Sequence, residues 1–206
     1  MTMNRRTYLK IGTMSAIATT FAVPSVFAKS GMLGKMGPEE FKKANETAGA
    51  NVKAVKPDGK KLSGDDSKLL MEMAAGGMMQ LELSKVAVTM GSSGDVKMIA
   101  NAEVEEQTAL AAKLKEVATG GGVTLPSTPD EKTRKMVDDL KEKKGLELDK
   151  AYLKESGIEG HEMLKKTMAK VSKEATSPTL KEIAGAAMPL IEVHLQVSKD
   201  EAADMA

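Results

Sequence analysis

The chain has only two histidines in its 206 residues, and both stand on apolar stripes at helical spacing. His194 continues the series Ala184, Ala187 and Ile191 and is followed by Ser198; His161 falls among Tyr152, Ile158, Leu164, Met168 and Val171. Each ring therefore lies on the face that a helix buries. Glu103 and Gln107 sit one turn apart in the middle of a third stripe, and Gln80 is on the buried side of a fourth. Two imidazoles, a carboxylate and two amides can hold zinc, iron or copper, with water completing the shell. The same five side chains can form a hydrogen-bonded layer without an ion. The residue types leave both readings open.

Cysteine is absent, which excludes disulfides, thiolate metal sites and a cysteine nucleophile. No nucleophile, base and orienting group share a pattern, so the chain reads as a non-catalytic protein. The sixteen methionines offer a second metal chemistry. Met71, Met73, Met78, Met79, Met163, Met168 and Met188 could present thioethers to copper(I). Their spacing also fits plain core filling where aromatic residues are scarce.

Helices must position these groups. Leu, Ile, Val, Ala and Met supply nearly all the apolar volume, with few aromatic residues, and the expected fold is all-α. One helix spans residues 66–90, with Gly76 and Gly77 marking close approach of a neighbour. A second runs from Asp95 to about Thr119, its stripe built from Val96, Ile99, Ala100, Leu110, Leu114 and Ala118. Gly120, Gly121 and Gly122 end it. Thr128, Pro129, Asp130 and Glu131 read as a capping box opening a short surface helix to about Lys143. A long helix is expected from about Leu146 to Ala175. Ser177 and Pro178 then start the last one, where Pro189 predicts a kink one turn before His194. Four long helices and a short fifth in the crossover make a bundle over residues 65–200, followed by a tail at 201–206. Residues 29–64, rich in glycine, proline and lysine, read as a flexible leader with one helical turn from Glu39 to Asn45, and Phe41 is expected outside the core.

Ahead of these, Arg5 and Arg6, followed by Thr7, Tyr8, Leu9 and Lys10, have the form of a twin-arginine export signal. A short apolar run follows to Val26, Phe27 and Ala28, with cleavage expected after Ala28. An uncleaved membrane anchor is the weaker alternative, because the run is short and broken by Pro24. Cleavage would lower the formal charge from +1 to −2, which gives no reason to expect a nucleic-acid partner. The expected location is periplasmic. Twin-arginine export carries folded passengers, often with a metal already bound. A homo-oligomer is compatible with everything in the sequence.

The ordered set Gly76, Gly77, Met78, Glu82, Leu83 and Lys85; Ser92, Ser93, Val96 and Lys97; residues 122–126; Asp149 with Tyr152; His161; and Pro189 with His194 and Leu195 resembles the exported ferritin-like family known as domain of unknown function 4142. The resemblance covers roughly residues 66–199 and implies a ferritin-like four-helix bundle. It also implies an acid where this chain has Gln80 and an Asp-His pair where it has Glu106 and Gln107. Two of the implied ligands are amides here. A ferritin-type di-iron site needs Glu-x-x-His on two helices, but Ile158 and Ile191 precede the histidines by three. The expectation is a periplasmic bundle acting in binding or envelope stress, with one weak mononuclear site. The alternatives are a ferritin-type oxidoreductase or metal store, and a methionine-based copper(I) handler.

Overall fold

The computed structural model describes residues 31–206. The export signal at Arg5 and Arg6 and the cleavage after Ala28 lie outside the described residues. Among those described, every regular element is helical. These are α1 (Pro38–Ala54), α2 (Gly64–Met90), α3 (Gly94–Gly121), α4 (Glu131–Lys141) and α5 (Gly145–Tyr152). After α5 come a π-helical segment (Leu153–Gly160), α6 (His161–Glu174) and α7 (Pro178–Asp204). Helix α2 packs along α3, and α6 along α7; α1 lies across α3 and α7, and α4 returns against α2.

Short polar side chains start the helices as helix termini require. The Ser63 hydroxyl accepts the Asp66 N–H at 3.0 Å, Ser93 accepts Asp95 N–H at 3.2 Å, and Ser177 accepts Leu180 N–H at 3.4 Å. Helix α4 is capped by Asp130, which accepts Thr133 N–H at 2.7 Å. The cap therefore lies two residues beyond the expected Thr128 and is a single side-chain cap with no box, in keeping with the stronger capping preference of Asp over Thr. Helix α7 runs through Pro189 without interruption. It also continues past 200 to Asp204, where the buried Glu201 carboxylate accepts the Gly34 N–H.

The stretch read as a flexible leader carries the 17-residue α1, far more than one turn. Phe41, Ala48 and Val52 are buried, and with Asn45 they form one stripe at spacings of four and three. Phe41 is therefore a core residue, contrary to the expectation, because a single phenyl ring and two small apolar groups suffice to dock a helix whose other faces are charged.

The long helix expected over 146–175 is also not uniform, since it widens to π geometry between Leu153 and Gly160. Gly157 and Gly160 lie in that segment and are pressed by neighbours. A Cβ on Gly157 would come 2.6 Å from Ser198 Oγ, and one on Gly160 would come 2.5 Å from Gln80 Oε1. Gly76 meets α6 in the same way, its missing Cβ lying 2.8 Å from Leu164 Cδ2. Close packing is thus the reason for the α2 glycine pair.

Two apolar clusters fill the bundle. One gathers Leu70, Met73, Leu114, Leu164, Met168 and Ile183; the other gathers Phe41, Leu83, Ile99, Leu140, Tyr152 and Val197. Between them every long helix turns a polar side chain inward.

At the far end, buried Asp149 ties the α2–α3 turn to α5. Its carboxylate accepts the Ser92 N–H at 2.9 Å, the Ser93 N–H at 2.8 Å and the Ser92 hydroxyl. Gly91 must stay small, since a Cβ there would lie 2.5 Å from the Ala87 carbonyl oxygen. Replacing Asp149 by alanine strands these donors and is expected to lower stability by about 3 kcal/mol, read as a shift of the urea midpoint. A loss below about 1 kcal/mol would mean that the turn is held by other means.

Candidate metal centre

Gln80 of α2, Glu103 and Gln107 of α3, His161 of α6 and His194 of α7 meet in the layer between the two apolar clusters, all at most 1% exposed. Glu103 is the hub. Its Oε2 lies 3.0 Å from His161 Nε2 and 2.6 Å from His194 Nδ1, while its Oε1 accepts from Gln107 Nε2 at 2.9 Å. The two rings stand 5.4 Å apart.

The outer ring nitrogens both face carbonyl oxygens. His161 Nδ1 is 3.0 Å from the Ser156 carbonyl, a group that the π segment brings to the site, and 3.1 Å from Gln80 Nε2. Gln80 is held in turn, donating to the Ser156 carbonyl at 3.1 Å and accepting the Ser156 hydroxyl at 2.9 Å. His194 Nε2 is 2.8 Å from Asn45 Oδ1. The Asn45 amide is oriented because its Nδ2 donates to the Phe41 carbonyl at 2.8 Å.

Each histidine thus has an inner nitrogen aimed at Glu103 and an outer one within reach of a carbonyl. His194 meets acceptors on both sides, and a neutral imidazole carries one N–H and cannot serve both, whereas a neutral His161 can donate from Nε2 to Glu103 and accept at Nδ1 from Gln80 Nε2. The layer is therefore able to take positive charge at its centre, either as a proton or as an ion. Outer N–H groups donated to carbonyls, with inner nitrogens converging, is the arrangement that orients metal-ligating histidines. Ligand atoms of Glu103, His161 and His194 all lie within 4.8 Å of one another, close enough for one ion to bridge.

Glu106, one turn from Glu103, adds to this demand. Its Oε2 lies 3.9 Å from His194 Nδ1 and has no hydrogen-bond donor. Burial, reinforced by the Glu103 charge, raises its carboxyl well above the ordinary value. Glu103 responds in the opposite sense. Burial works to raise it, but the His161 charge and the hydrogen bonds from both rings hold it well below the usual carboxylate range. Burial also opposes charge on His161, yet Glu103 and the Ser156 carbonyl overcome it and raise that pKa. His194 goes the other way, lowered by burial that outweighs Glu103, with the neighbouring His161 cation adding to the effect.

The five residues singled out in the sequence come together, in two roles. Glu103, His161 and His194 form the potential ligand set, whereas Gln80 and Gln107 hydrogen-bond to it. Asn45, Ser156 and Glu106 are participants that the ligand pattern alone did not single out. Asn45 was detectable as the fourth member of the Phe41, Ala48, Val52 stripe. Ser156 contributes through its main-chain carbonyl, which no side-chain pattern reveals. A ferritin-type di-iron set does not fit, because Ile191 is core and Ile158 supplies no carboxylate. Among the methionines, Met73 and Met168 are fully buried in the core, while Met71 and Met163 are more than a third exposed.

The charge pattern sets a pH signature for chelator-treated protein. A raised His161 pKa gives stability that is complete below the unfolded value of 6.5 and lost as pH rises through the folded value. Glu106 adds a loss of the same sign that begins near 4.5, whereas the lowered His194 acts only below its ordinary 6.5. Stability should therefore fall as pH rises above 6.5, by about 1.4 kcal/mol for each tenfold by which folding tightens the hold on the proton, and His161→Gln should flatten the curve. Removing the hub with Glu103→Ala should cost about 3–5 kcal/mol, because a buried imidazolium is left unpaired. Both are read by urea unfolding across pH.

A family model described as domain of unknown function (DUF4142) matches residues 51–200. No curated protein and no solved structure matches. The match spans α2 to most of α7, including every potential ligand, so the chain belongs to the DUF4142 family, whose function is unknown.

Proposed function

We propose that this chain is an exported helical-bundle protein that holds one divalent metal ion between Glu103, His161 and His194, and that it acts by binding, not turnover, in the periplasm. The carrying observation is the orientation of the two histidines. Both inner nitrogens converge on one carboxylate oxygen, and both outer nitrogens face carbonyl acceptors. The unpartnered Glu106 Oε2 supports the same reading as a fourth oxygen donor. Two ionised carboxylates with two neutral imidazoles balance a divalent charge, so the buried site would be neutral when loaded. An N₂O₂ donor set suits zinc, iron(II) or copper(II) and is too hard for copper(I).

A cleft of about 610 Å³ between α1 and α3 ends at Asn45 and Glu106 and carries Glu39, Glu46 and Glu105 on its walls. These acids and Glu106 outnumber Lys42 and Lys53 on the same walls, which favours cation approach. The pairing of α2 with α3 and of α6 with α7, joined by a crossover through α4, supports descent from a ferritin-like bundle that has lost its di-iron set. Arg5, Arg6 and the run to Ala28 support twin-arginine export.

Elemental analysis of mature protein prepared from the periplasm without chelator should find about one zinc, iron or copper ion per chain. The His161→Ala, His194→Ala double variant should hold none. Glu106→Gln keeps both rings and should weaken zinc affinity by about tenfold or more. Saturating metal should return about 3 kcal/mol of stability to chelated wild type. Metal-free wild type that zinc does not stabilise would sink the reading, and copper retained in the double variant would transfer it to the methionines.

Export has its own test in cell fractionation. Arg5→Lys with Arg6→Lys should leave precursor in the cytoplasm, and wild-type mature protein should begin at Lys29. A wild-type chain retaining its first 28 residues in the periplasm would refute the cleavage.

A further inference from the structure

Helix α3 turns Glu106 toward α1 and Gln107 toward α2, and the two residues line different cavities. The α2 side has a groove of about 470 Å³, bounded by α2, α3 and the extended chain at residues 123–127. That volume is within the range of small-molecule sites. Its walls are mostly aliphatic, with Ala74, Leu110, Ala111, Leu114, Val123 and Leu125 among them. Gly77, Met78 and residues 123–126, far apart in sequence, meet there.

Lys115, Thr119, Thr124 and Ser127 line the groove at its exposed rim, and its one buried polar side chain is Gln107. Gln107 is 1% exposed, and its amide is fixed because Nε2 donates to Glu103 Oε1 at 2.9 Å. The amide oxygen therefore points away from Glu103. It lies beside Gly77, where a Cβ would approach to 2.7 Å, and Gly77 also lines the groove. Gln107 Oε1 is buried and has no hydrogen-bond donor. A buried acceptor left unpaired is costly and is ordinarily satisfied.

We propose that this groove binds a small neutral amphiphile, with its apolar body against the aliphatic walls and one hydroxyl donating to Gln107 Oε1. The chemistry selects that class. At the buried end an anion would face the negative end of an amide dipole, with Lys115 out on the exposed rim, and a cation would be buried among alkyl groups without a counter-charge. A hydrocarbon would leave the oxygen unpaired. The inference rests on the α2 side of the molecule and stands whether or not the histidine centre takes a metal.

Thymol and p-cymene differ only by a hydroxyl and make the test direct. Each is titrated into the full mature chain and followed by the methyl NMR signals of Leu110, Leu114 and Val123. Cymene is the more hydrophobic, so a groove without a polar anchor would prefer it. The expected result is saturable binding of thymol about tenfold tighter than cymene. Gln107→Leu should reverse that order. Ala111→Phe, at an exposed position on the groove rim, should abolish both while leaving the helical circular dichroism unchanged. Preference for cymene in the wild type would overturn the proposal, as would shifts confined to other methyl groups. So would no saturable shift at all, which would leave the groove to water.

Discussion

One buried negative charge organises this protein. Glu103 sits at zero exposure in the middle of a helical bundle, where an isolated carboxylate would be strongly disfavoured. It is tolerable because three side chains from three helices turn donors toward it. His161 and His194 share one oxygen, and Gln107 takes the other. Each partner needs its own support in turn, so the demand propagates outward. Gln80 and the Ser156 carbonyl hold one ring, and Asn45 holds the other. The register of α2, α3, α6 and α7 at mid-height is thereby fixed more tightly than two apolar clusters could fix it, since aliphatic contacts tolerate sliding and hydrogen bonds at 2.6–3.1 Å do not.

A polar layer of this size needs space, and backbone features provide it. Gly77 leaves room for the Gln107 amide, Gly160 for the Gln80 amide and Gly157 for Ser198. The π-helical turn between Leu153 and Gly160 is part of the same accommodation. Within that segment the Ser156 carbonyl faces both His161 Nδ1 and Gln80 Nε2, and a helix otherwise regular from Gly145 to Glu174 departs from α geometry beside the site. Helix α1 completes the enclosure. Its Phe41 ring lies 5.0 Å from the His194 ring, and its Asn45 reaches the nitrogen that would otherwise look out between α3 and α7.

Much of this was legible in the sequence, for reasons that differ by residue. The five inward polar groups were found because a long helix makes periodicity informative. Over 27 residues of α2 or 28 of α3, a polar residue on the apolar stripe stands out against many correctly placed neighbours. Helix α1 lacked that contrast. Phe41, Ala48 and Val52 are too few to outweigh the lysines and glycines around them, and docking comes from what they touch on α7 and α3. The π segment was hidden because Gly157 and Gly160 read as ordinary weak points in a helix, while their role is set by Ser198 and Gln80 on other elements. Glu106 was visible only as a neighbour of Gln107, since at about 100° per residue it falls at the edge of the stripe. The family model reaches back to residue 51, inside α1, which agrees with an ordered domain that starts earlier than composition suggests.

The position of Glu106 and Gln107 at that edge has a further consequence. Adjacent residues on a helix diverge, so α3 presents a carboxylate to the α1 cleft and an amide to the α2 groove from a single turn. Both lead to Glu103, the first by proximity of charge and the second through the bond from Gln107 Nε2. The two oxygens of Glu103 divide the same way, Oε2 serving the histidines and Oε1 the amide. Whatever changes the charge at the histidines changes the strength with which Oε1 holds Gln107, and whatever engages Gln107 Oε1 polarises the amide that donates to Glu103. The two sides of α3 are thus joined by one carboxylate, and any coupling between them must be reciprocal.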